Sequence, residues 1–225
     1  MLSKLFITIG KVWSYVWPYF LNQKFTRGRY QLYTGWVSRN FKVFKGKIGG
    51  KIEIVGGRYI SIGKDTLLQD GVRLLAWDKF PQTGQIFTPE IIVGNKSVIQ
   101  KDCFLSAVDK IEIGDNVAIT EHTVILDNVH GDFQDNHLTF EQNLNVPDVF
   151  LQNAYTRELF SKGPVIIEND VHVGMYSTIL PKTHIGHHSV IAAHSTVQGN
   201  IPPYSLVAGN PGRIILTFGR KGKNK

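Results

Sequence analysis

The sequence predicts an all-β protein: a left-handed parallel β-helix with a partly helical N-terminal segment and a C-terminal cap. The first observation is a strict period of six residues, which is neither the 3.6-residue period of a helix nor the two-residue alternation of an ordinary strand. The second is that each block of six opens with an aliphatic residue and has a small or β-branched residue at its fifth position. The third is that two long stretches interrupt the period, as loops inserted into a regular solenoid would.

The repeat itself predicts how the chain coils. It is clearest from residue 167 to 202, as IENDVH, VGMYST, ILPKTH, IGHHSV, IAAHST and VQGNIP, and earlier as IGDNVA, ITEHTV and ILDNVH at 113–130, VGNKSV and IQKDCF at 93–104, and IGKDTL and LQDGVR at 62–73. Three blocks fit a triangular coil of about 18 residues. The aliphatic opener points inward, the fifth residue fills the corner, and Gly, Asn and Asp take the bends. Coils stack at about 4.8 Å, so that backbone amides pair between coils.

The domain boundaries follow from where the period starts, breaks and stops. A solenoid needs cover at both ends, so we expect residues 1–47 to cap the first coil and residues 48–215 to form the β-helix. Loop insertions are expected at 77–89 and 131–164, and residues 216–225 form a basic tail. Long loops in a regular solenoid are usually functional.

Composition limits the classes of possible partner but does not identify one of them. The net charge of +7 is compatible with nucleic acid, anionic lipid, acidic glycan or a phosphorylated cofactor. The single cysteine, Cys103, excludes an internal disulfide and a multi-cysteine metal site, which suits a reducing cytoplasm. Cys103 occupies a fifth position, so we expect it to be a small core filler.

The N-terminal run from Leu2 to Leu21 is apolar and aromatic, but Lys4, Lys11 and Pro18 interrupt it. It therefore fits neither an export signal nor a membrane span. We expect a helix packed on the body of the protein or on a neighbouring subunit, in a cytoplasmic protein. The alternative is an interfacial anchor that attaches the protein peripherally to the inner face of the membrane.

Three features together resemble a known family: IGDNV at 113–117, His130 before the long loop, and IPPYSLVAGNPGRII at 201–215. The sequence resembles the hexapeptide-repeat acyltransferases, in the galactoside and maltose O-acetyltransferase branch, over roughly residues 48–215. The resemblance implies a homotrimer that transfers an acetyl group from acetyl-CoA directly to a carbohydrate acceptor, with no metal and no nucleic-acid partner.

His130 is the predicted catalytic residue. A sugar hydroxyl is a weak nucleophile near neutral pH, so a base must take its proton during attack, and histidine has a suitable pKa. The competing interpretation is a surface histidine at a bend. Asp127 and Glu121 are candidates to orient its ring. The other seven histidines are assigned structural positions, and none of the eight is five residues from another, which argues against a zinc site.

The resemblance also implies the donor site, a groove along the C-terminal coils. The matching residues are Gly174, Met175, Ala192, Ala193, Pro211 and Arg213. Small residues let a ligand approach the backbone closely, and Arg213 is suited to a CoA phosphate, unless it forms a salt bridge within the cap. Two residues depart from the family: Met175 replaces a small polar residue, and Gly199 replaces a common lysine.

The acceptor site is predicted at the loop insertions. Trp77 is suited to stack against a sugar ring and Asp78 to bind hydroxyls, with Phe133 as a further candidate in the longer loop. The alternative for Trp77 is that it packs under its own loop.

These residues favour an O-acetyltransferase that acts on a polysaccharide or lipid-linked saccharide. One alternative is an N-acetyltransferase that acts on an amino sugar or an antibiotic. Another is a non-catalytic trimeric β-helix binding protein, which the departures at Met175 and Gly199 favour and the presence of His130 disfavours. A nucleotidyltransferase is disfavoured because no Gly-rich nucleotide-binding segment precedes the coils.

Overall fold

A computed structural model describes residues 19–131 and 152–218 of the chain. It confirms the predicted left-handed parallel β-helix, with three long sheets of seven, eight and six strands as its faces. A short antiparallel hairpin of two strands leaves the prism between the regular coils.

Within residues 19–131 and 152–218, the coils are built from short strands, and one α-helix precedes them. Helix α1 spans Tyr19–Val37, and 3₁₀ turns lie at Ser38–Asn40, Gly57–Tyr59 and Ala154–Thr156. The strands in chain order are β1 Val43–Phe44, β2 Lys47–Ile48, β3 Glu53–Val55, β4 Ile60–Ile62, β5 Leu67–Leu68, β6 Arg73–Ala76, β7 Glu90–Val93, β8 Val98–Ile99, β9 Phe104–Ala107, β10 Lys110–Ile113, β11 Ala118–Ile119, β12 Val124–Leu126, β13 Asn128–His130, β14 Leu159–Ser161, β15 Val165–Ile167, β16 His172–Val173, β17 Thr178–Ile179, β18 Thr183–Ile185, β19 Val190–Ile191, β20 Thr196–Val197, β21 Asn200–Ile201, β22 Ser205–Ala208 and β23 Arg213–Thr217.

Each face is a sheet made of one strand from each successive coil. The first face has the order β1-β4-β7-β10-β15-β18-β21, the second β2-β5-β8-β11-β16-β19-β22-β23, and the third β20-β17-β12-β9-β6-β3. In several early coils the parallel register advances by 20 residues, as where Glu90 pairs with Lys110. Between β15 and β18, where the six-residue repeat is clearest, it advances by 18, as where Val165 pairs with Thr183. That step confirms three blocks of six per coil.

The interior follows the predicted six-residue pattern. The block openers and the fifth residues are buried from Ile167 to Ile201. Cys103 is also buried and its thiol donates to the Thr120 carbonyl at 3.0 Å, so it fills a corner as expected. Burial raises the pKa of the Cys103 thiol to about 11, which keeps it protonated and unreactive.

The bends hold a wider set of residues than the predicted Gly, Asn and Asp. The fourth residue of many blocks has a positive φ, and Lys182, His188 and Tyr176 are among these residues. Such side chains rarely adopt this conformation in isolation. Here the backbone bonds between coils fix it, as where the Tyr176 amide donates to the Glu121 carbonyl at 3.0 Å.

Helix α1 packs against the first coil. Thr34 Oγ1 accepts the Ile48 amide at 3.2 Å, and the Tyr33 hydroxyl accepts the Ile52 amide at 3.4 Å. Val37 is buried in the main core at the end of the helix. The coil itself begins with β1 and β2, ahead of the predicted boundary at residue 48. The sequence pattern does not show this because these strands contribute few aliphatic openers.

The C-terminal segment covers the edge of the second face. Strand β23 turns back and pairs antiparallel with β22, following a cis peptide bond between Asn210 and Pro211. An edge strand paired in this way has fewer free backbone groups.

Part of what the sequence predicts lies outside the described residues. This applies to Phe133, to residues 1–18 and to residues 219–225. Among the residues that the structure describes, no helix is long and apolar enough to cross a membrane.

Candidate active site

The two loop insertions meet at His130. Strand β13 leaves the third face and pairs antiparallel with β14, with His130 opposite Leu159. The Gly131 amide donates to the Glu158 carbonyl at 2.9 Å and continues the pairing. The hairpin therefore places the predicted base at the edge of the third face, on a support made by both insertions.

The His130 ring packs against an aromatic cluster. Its centroid lies 5.7 Å from that of Phe80 in an edge-to-face arrangement, and Phe80 lies 5.9 Å from Trp77 in the same kind of contact. Phe80 and Leu159 are buried together with Val108. The apolar cluster holds one side of the imidazole while the His130 side chain stays exposed to solvent, as a base that meets a diffusing acceptor requires.

Asp127 does not orient the imidazole. Its carboxylate accepts the Val108 amide at 2.9 Å, the Asp109 amide at 2.8 Å and the Asn128 side-chain amide at 2.9 Å. Burial raises the pKa of Asp127, and these hydrogen bonds oppose that rise. The residue anchors the point where the chain leaves the coil, which fixes the start of β13. No contact joins Glu121 to His130 either, within the described part of the chain.

Asp78, predicted to bind the acceptor, is engaged within the protein. It forms an ion pair with Arg58 and accepts a 3.4 Å hydrogen bond from the Tyr59 hydroxyl. The hydrogen bond from Arg58 lowers the pKa of Asp78. Trp77 is half-buried and packs on Phe80, the arrangement expected of an aromatic residue under its own loop. Phe80 contacts both Trp77 and His130 and so links Trp77 to the predicted base. Asp78 instead pairs with Arg58.

The predicted donor residues line the corner between the second and third faces. Met175 and Ala193 are the third residues of equivalent blocks in successive coils, and both are exposed. The His194 amide donates to the Met175 carbonyl at 2.9 Å and ties the two coils together. At Gly174, a Cβ would lie 2.8 Å from the Ala192 carbonyl carbon and the Ala193 Cα. The small size of Gly174 is required by the next coil.

The end of this corner is formed by the turn before β23. The Gly209 amide donates to Ser195 Oγ at 3.2 Å, and the Gly212 amide donates to the Thr196 carbonyl at 2.7 Å. Pro211 and Arg213 are exposed there. Arg213 donates to the Gly212 carbonyl at 3.1 Å and forms no ion pair among the described residues. The alternative of a salt bridge within the cap is therefore not seen in that part of the chain.

A column of rings borders the same corner and was not singled out from the sequence. Tyr176 stacks between His122 and His194, with ring centroids 4.7 and 5.0 Å apart. All three are fourth residues of their blocks, so aligning the blocks in the sequence would have revealed the column.

The histidines near β18 form a separate polar cluster. Glu168 accepts from His184 Nε2 at 2.8 Å and from His187 Nδ1 at 2.9 Å. The hydrogen bonds from His187 lower the pKa of Glu168 to about 2. Among residues 19–131 and 152–218, no set of three or more His, Cys, Asp or Glu side chains is placed to hold a metal ion.

The predicted base and the predicted donor residues occupy different corners of one prism. His130 follows β12, where the chain leaves the third face, whereas Met175 precedes β17, where the chain enters it. Chemically, the His130 corner offers a base beside an apolar support. The other corner offers exposed backbone, small side chains and a cation at its end.

Comparison with known proteins links this architecture to a family. A family profile described as "Bacterial transferase hexapeptide (six repeats)" matches residues 164–199. The chain is 29% identical over 164 residues to a protein of Escherichia coli K12 named "Putative lipopolysaccharide biosynthesis O-acetyl transferase WbbJ", covering 73% of this chain and 74% of that protein. It is 35% identical over 107 residues to a "Probable macrolide acetyltransferase" of Lysinibacillus sphaericus, covering 48% of this chain and 59% of that protein.

Solved structures share the fold. The N-acyltransferase AntD of Bacillus cereus, in complex with dTDP and coenzyme A, superposes with a TM-score of 0.61 at 22% identity, covering 83% of this chain and 90% of that chain. A maltose O-acetyltransferase of Clostridium difficile superposes with a TM-score of 0.52 at 23% identity, covering 88% of this chain and 84% of that chain.

Proposed function

We propose that this chain is a hexapeptide-repeat acyltransferase that transfers an acetyl group from acetyl-CoA to a sugar hydroxyl, with His130 as the general base. The acceptor is a polysaccharide or a lipid-linked saccharide. The relative named for lipopolysaccharide biosynthesis, which matches 73% of this chain, supports that acceptor class.

The observation that carries the proposal is the setting of His130. An exposed imidazole rests against Phe80 at the junction of both insertions. In the proposed reaction, His130 takes the proton of the acceptor hydroxyl while its oxygen attacks the thioester carbonyl carbon. The carbon–sulfur bond then breaks, and the imidazolium returns the proton to the leaving thiolate. The products are an acetyl ester and free CoA, so atoms and charge balance without an acyl-enzyme.

The test is release of free CoA thiol from acetyl-CoA across a panel of sugars, amino sugars and bacterial polysaccharides. We expect His130→Ala to lower kcat by at least about two orders of magnitude, the contribution typical of a general base. His172→Ala is the matched control, since His172 is an exposed histidine of a regular coil, and it should keep normal turnover. Near-normal turnover of folded His130→Ala would refute the assignment. Turnover confined to amine acceptors would favour the N-acetyltransferase alternative.

We further propose that the active unit is a homotrimer with the acetyl-CoA site between neighbouring prisms. The separation of the His130 corner from the Met175 corner supports this, because three-fold packing can bring the corner of one prism against the other corner of the next. Arg213, at the end of the donor corner, is suited to a CoA phosphate. Light scattering should give a trimer mass, and a monomer mass at micromolar concentration would refute it.

Subunit mixing tests the shared site directly. His130→Ala removes the base, and Arg213→Ala weakens the donor end. In trimers assembled from equal amounts of both variants, about one quarter of inter-subunit sites regain an intact base and an intact donor corner. A site contained in one chain would regain none, so mixed trimers no more active than their parents would refute the shared site.

We also propose that the protein is cytoplasmic and that it contacts the inner face of the membrane through its N-terminal region. Residues 1–52 contain ten Lys or Arg and no Asp or Glu. On α1, the side chains of Leu32 and Trp36 are 80% and 63% exposed. Basic charge beside exposed apolar side chains favours an anionic lipid surface. Flotation with vesicles containing phosphatidylglycerol should recover the protein at low salt, with less at high salt and little on neutral vesicles. Equal recovery on both vesicle types would contradict the proposal.

A further inference from the structure

The side-chain amide of Gln85 joins the two insertions. Gln85 Oε1 accepts the Leu159 amide at 2.8 Å, and Gln85 Nε2 donates to the Leu159 carbonyl at 3.0 Å. One side chain thus satisfies both backbone groups of one residue, as a neighbouring strand would. This pair of bonds fixes where the Leu159 backbone lies and how it is rotated.

Leu159 is the residue opposite His130 in the β13–β14 hairpin. Each strand of this hairpin has only three residues, and an isolated two-stranded hairpin is marginally stable in water. The hairpin therefore depends on its attachments to hold a defined position. Gln85 attaches its outer strand, and Asp127 anchors the start of its inner strand through the Val108 and Asp109 amides.

The same turn that presents Gln85 also presents Phe80. The Phe80 amide donates to the Gln85 carbonyl at 2.9 Å, and the Gly84 amide donates to the Phe80 carbonyl at 2.8 Å. Thr83 Oγ1 donates to Gln85 Oε1 at 2.8 Å and orients the amide. One compact turn thus contacts the His130 ring through Phe80 and holds the opposite strand through Gln85.

We propose that Gln85 is a positioning residue for the catalytic base, acting on His130 through Leu159. This inference rests on the proposed function of His130. Asp127 is committed to the backbone and does not bond the imidazole, so the hairpin and the Phe80 contact carry the orientation of the ring. A displacement of about 1 Å at a reacting group can cost about 100-fold in rate, so loosening this attachment should lower the rate of the chemical step.

The first test is Gln85→Ala. We expect kcat to fall about 10- to 100-fold, while KM for acetyl-CoA changes by less than about twofold, because the Gln85 amide bonds the Leu159 backbone and is not one of the donor-corner residues. Gln85→Glu keeps an acceptor for the Leu159 amide but places a carboxylate against the Leu159 carbonyl, so it should not restore kcat. Gln69→Ala, which removes the same amide from an early regular coil, is the matched control and should keep normal kcat.

A second variant keeps the inference testable if Gln85→Ala does not fold. Thr83→Val keeps the Gln85 amide but removes the hydroxyl that orients it, and should lower kcat by about two- to fivefold, equivalent to about 0.4–1 kcal/mol. If every folded variant of Gln85 and Thr83 has the kcat of the wild type, the inference is wrong.

The decisive measurement is a double-mutant cycle with His130→Ala. If Gln85 acts through His130, Gln85→Ala should lower the residual rate of His130→Ala by less than about twofold, since residues that act as a unit are strongly non-additive. Equal losses in both backgrounds would assign Gln85 a role independent of the base and overturn the inference. Failure of the proposed function is distinct, because His130→Ala alone would then keep normal turnover.

Discussion

Replacing Asp127 tests whether its carboxylate has a structural role or a catalytic one. The side chain is buried, and its two oxygens accept backbone amides from Val108 and Asp109 and the side-chain amide of Asn128. Asp127→Ala removes the acceptor of all three hydrogen bonds at the point where the chain leaves the coil towards His130. We therefore expect Asp127→Ala to act mainly by lowering the free energy of unfolding.

The size of the loss in unfolding free energy depends on which donors still have a hydrogen-bond acceptor after the replacement. Asn128 still donates to the Ser106 carbonyl at 3.0 Å, whereas the Val108 and Asp109 amides lose the acceptor seen here. The Val108 amide is buried, and a buried donor left without a partner costs about 1–3 kcal/mol. Asp109 is exposed, so water can replace the acceptor of its amide, and Asp127→Ala should cost about 1–3 kcal/mol in all. Asp127→Asn keeps one acceptor oxygen and removes a charge that burial disfavours, so it should cost about 1 kcal/mol.

The contribution of Asp127 to stability changes with pH in a defined direction. Burial raises the pKa of Asp127 above its ordinary 3.8, so the folded protein binds this proton more tightly than the unfolded chain. The stability from this group is full below pH 3.8 and is lost as the pH rises through the raised pKa. Asp127→Asn should lack this component.

Urea unfolding followed by circular dichroism, at fixed protein concentration, measures these differences. Asp115→Ala is the matched control, because Asp115 also accepts a backbone amide, from Asn95 at 2.6 Å, but at an exposed site where water can replace it. We expect it to cost less than about 1 kcal/mol. If Asp127→Ala and Asp115→Ala cost the same, burial does not determine the loss and the reasoning fails.

Three further predictions test the coil, the histidine cluster and the thiol. Gly174→Ala should lower the free energy of unfolding by about 1–3 kcal/mol, since its Cβ would lie 2.8 Å from the Ala192 carbonyl carbon; a loss within error in urea unfolding would contradict this. His187 holds the pKa of Glu168 at about 2 against an ordinary 4.5, so the stability from this partly exposed pair is present above pH 4.5 and lost as the pH falls towards about 2. We expect about 1 kcal/mol from it, and acid unfolding midpoints that are equal for wild type and Glu168→Gln would refute the assignment. Cys103, with a pKa of about 11, should react with a thiol reagent at pH 8 only after unfolding; rapid modification of the folded protein would contradict its burial.

The period of six was enough to predict the coil because each block repeats the same physical demand. An aliphatic residue such as Ile179 must face the interior, and a small one such as Ser177 must fit the corner, so the pattern fixes the direction of every side chain. The same logic would have found the His122–Tyr176–His194 column, since these residues share one position in the block. Periodic sequence therefore predicts both the core and the stacks along each corner.

The candidate site was less predictable because its residues lie where the period breaks. Gln85 bonds to Leu159 across 74 residues, and neither residue belongs to a repeat. Asp127 sits in a block that resembles the others, yet the chain leaves the coil there and buries its carboxylate. Asp78 follows a strand in the manner of a binding residue, but Arg58 on the preceding coil pairs with it. These contacts depend on loop conformation, which no repeat encodes.

The placement of the two corners connects the fold to the proposed chemistry. A parallel coil can vary its corners and loops without disturbing the buried openers, because hydrogen bonds between neighbouring coils satisfy the backbone groups of the strands. The insertions use this freedom to hold His130 at one edge of the third face, while Met175 and Ala193 leave backbone exposed at the other edge. On the proposed function, these two edges fit a site shared by two prisms that pack edge to edge. Closed three-fold packing would give every base a donor corner, and the proposed reaction would then depend on assembly.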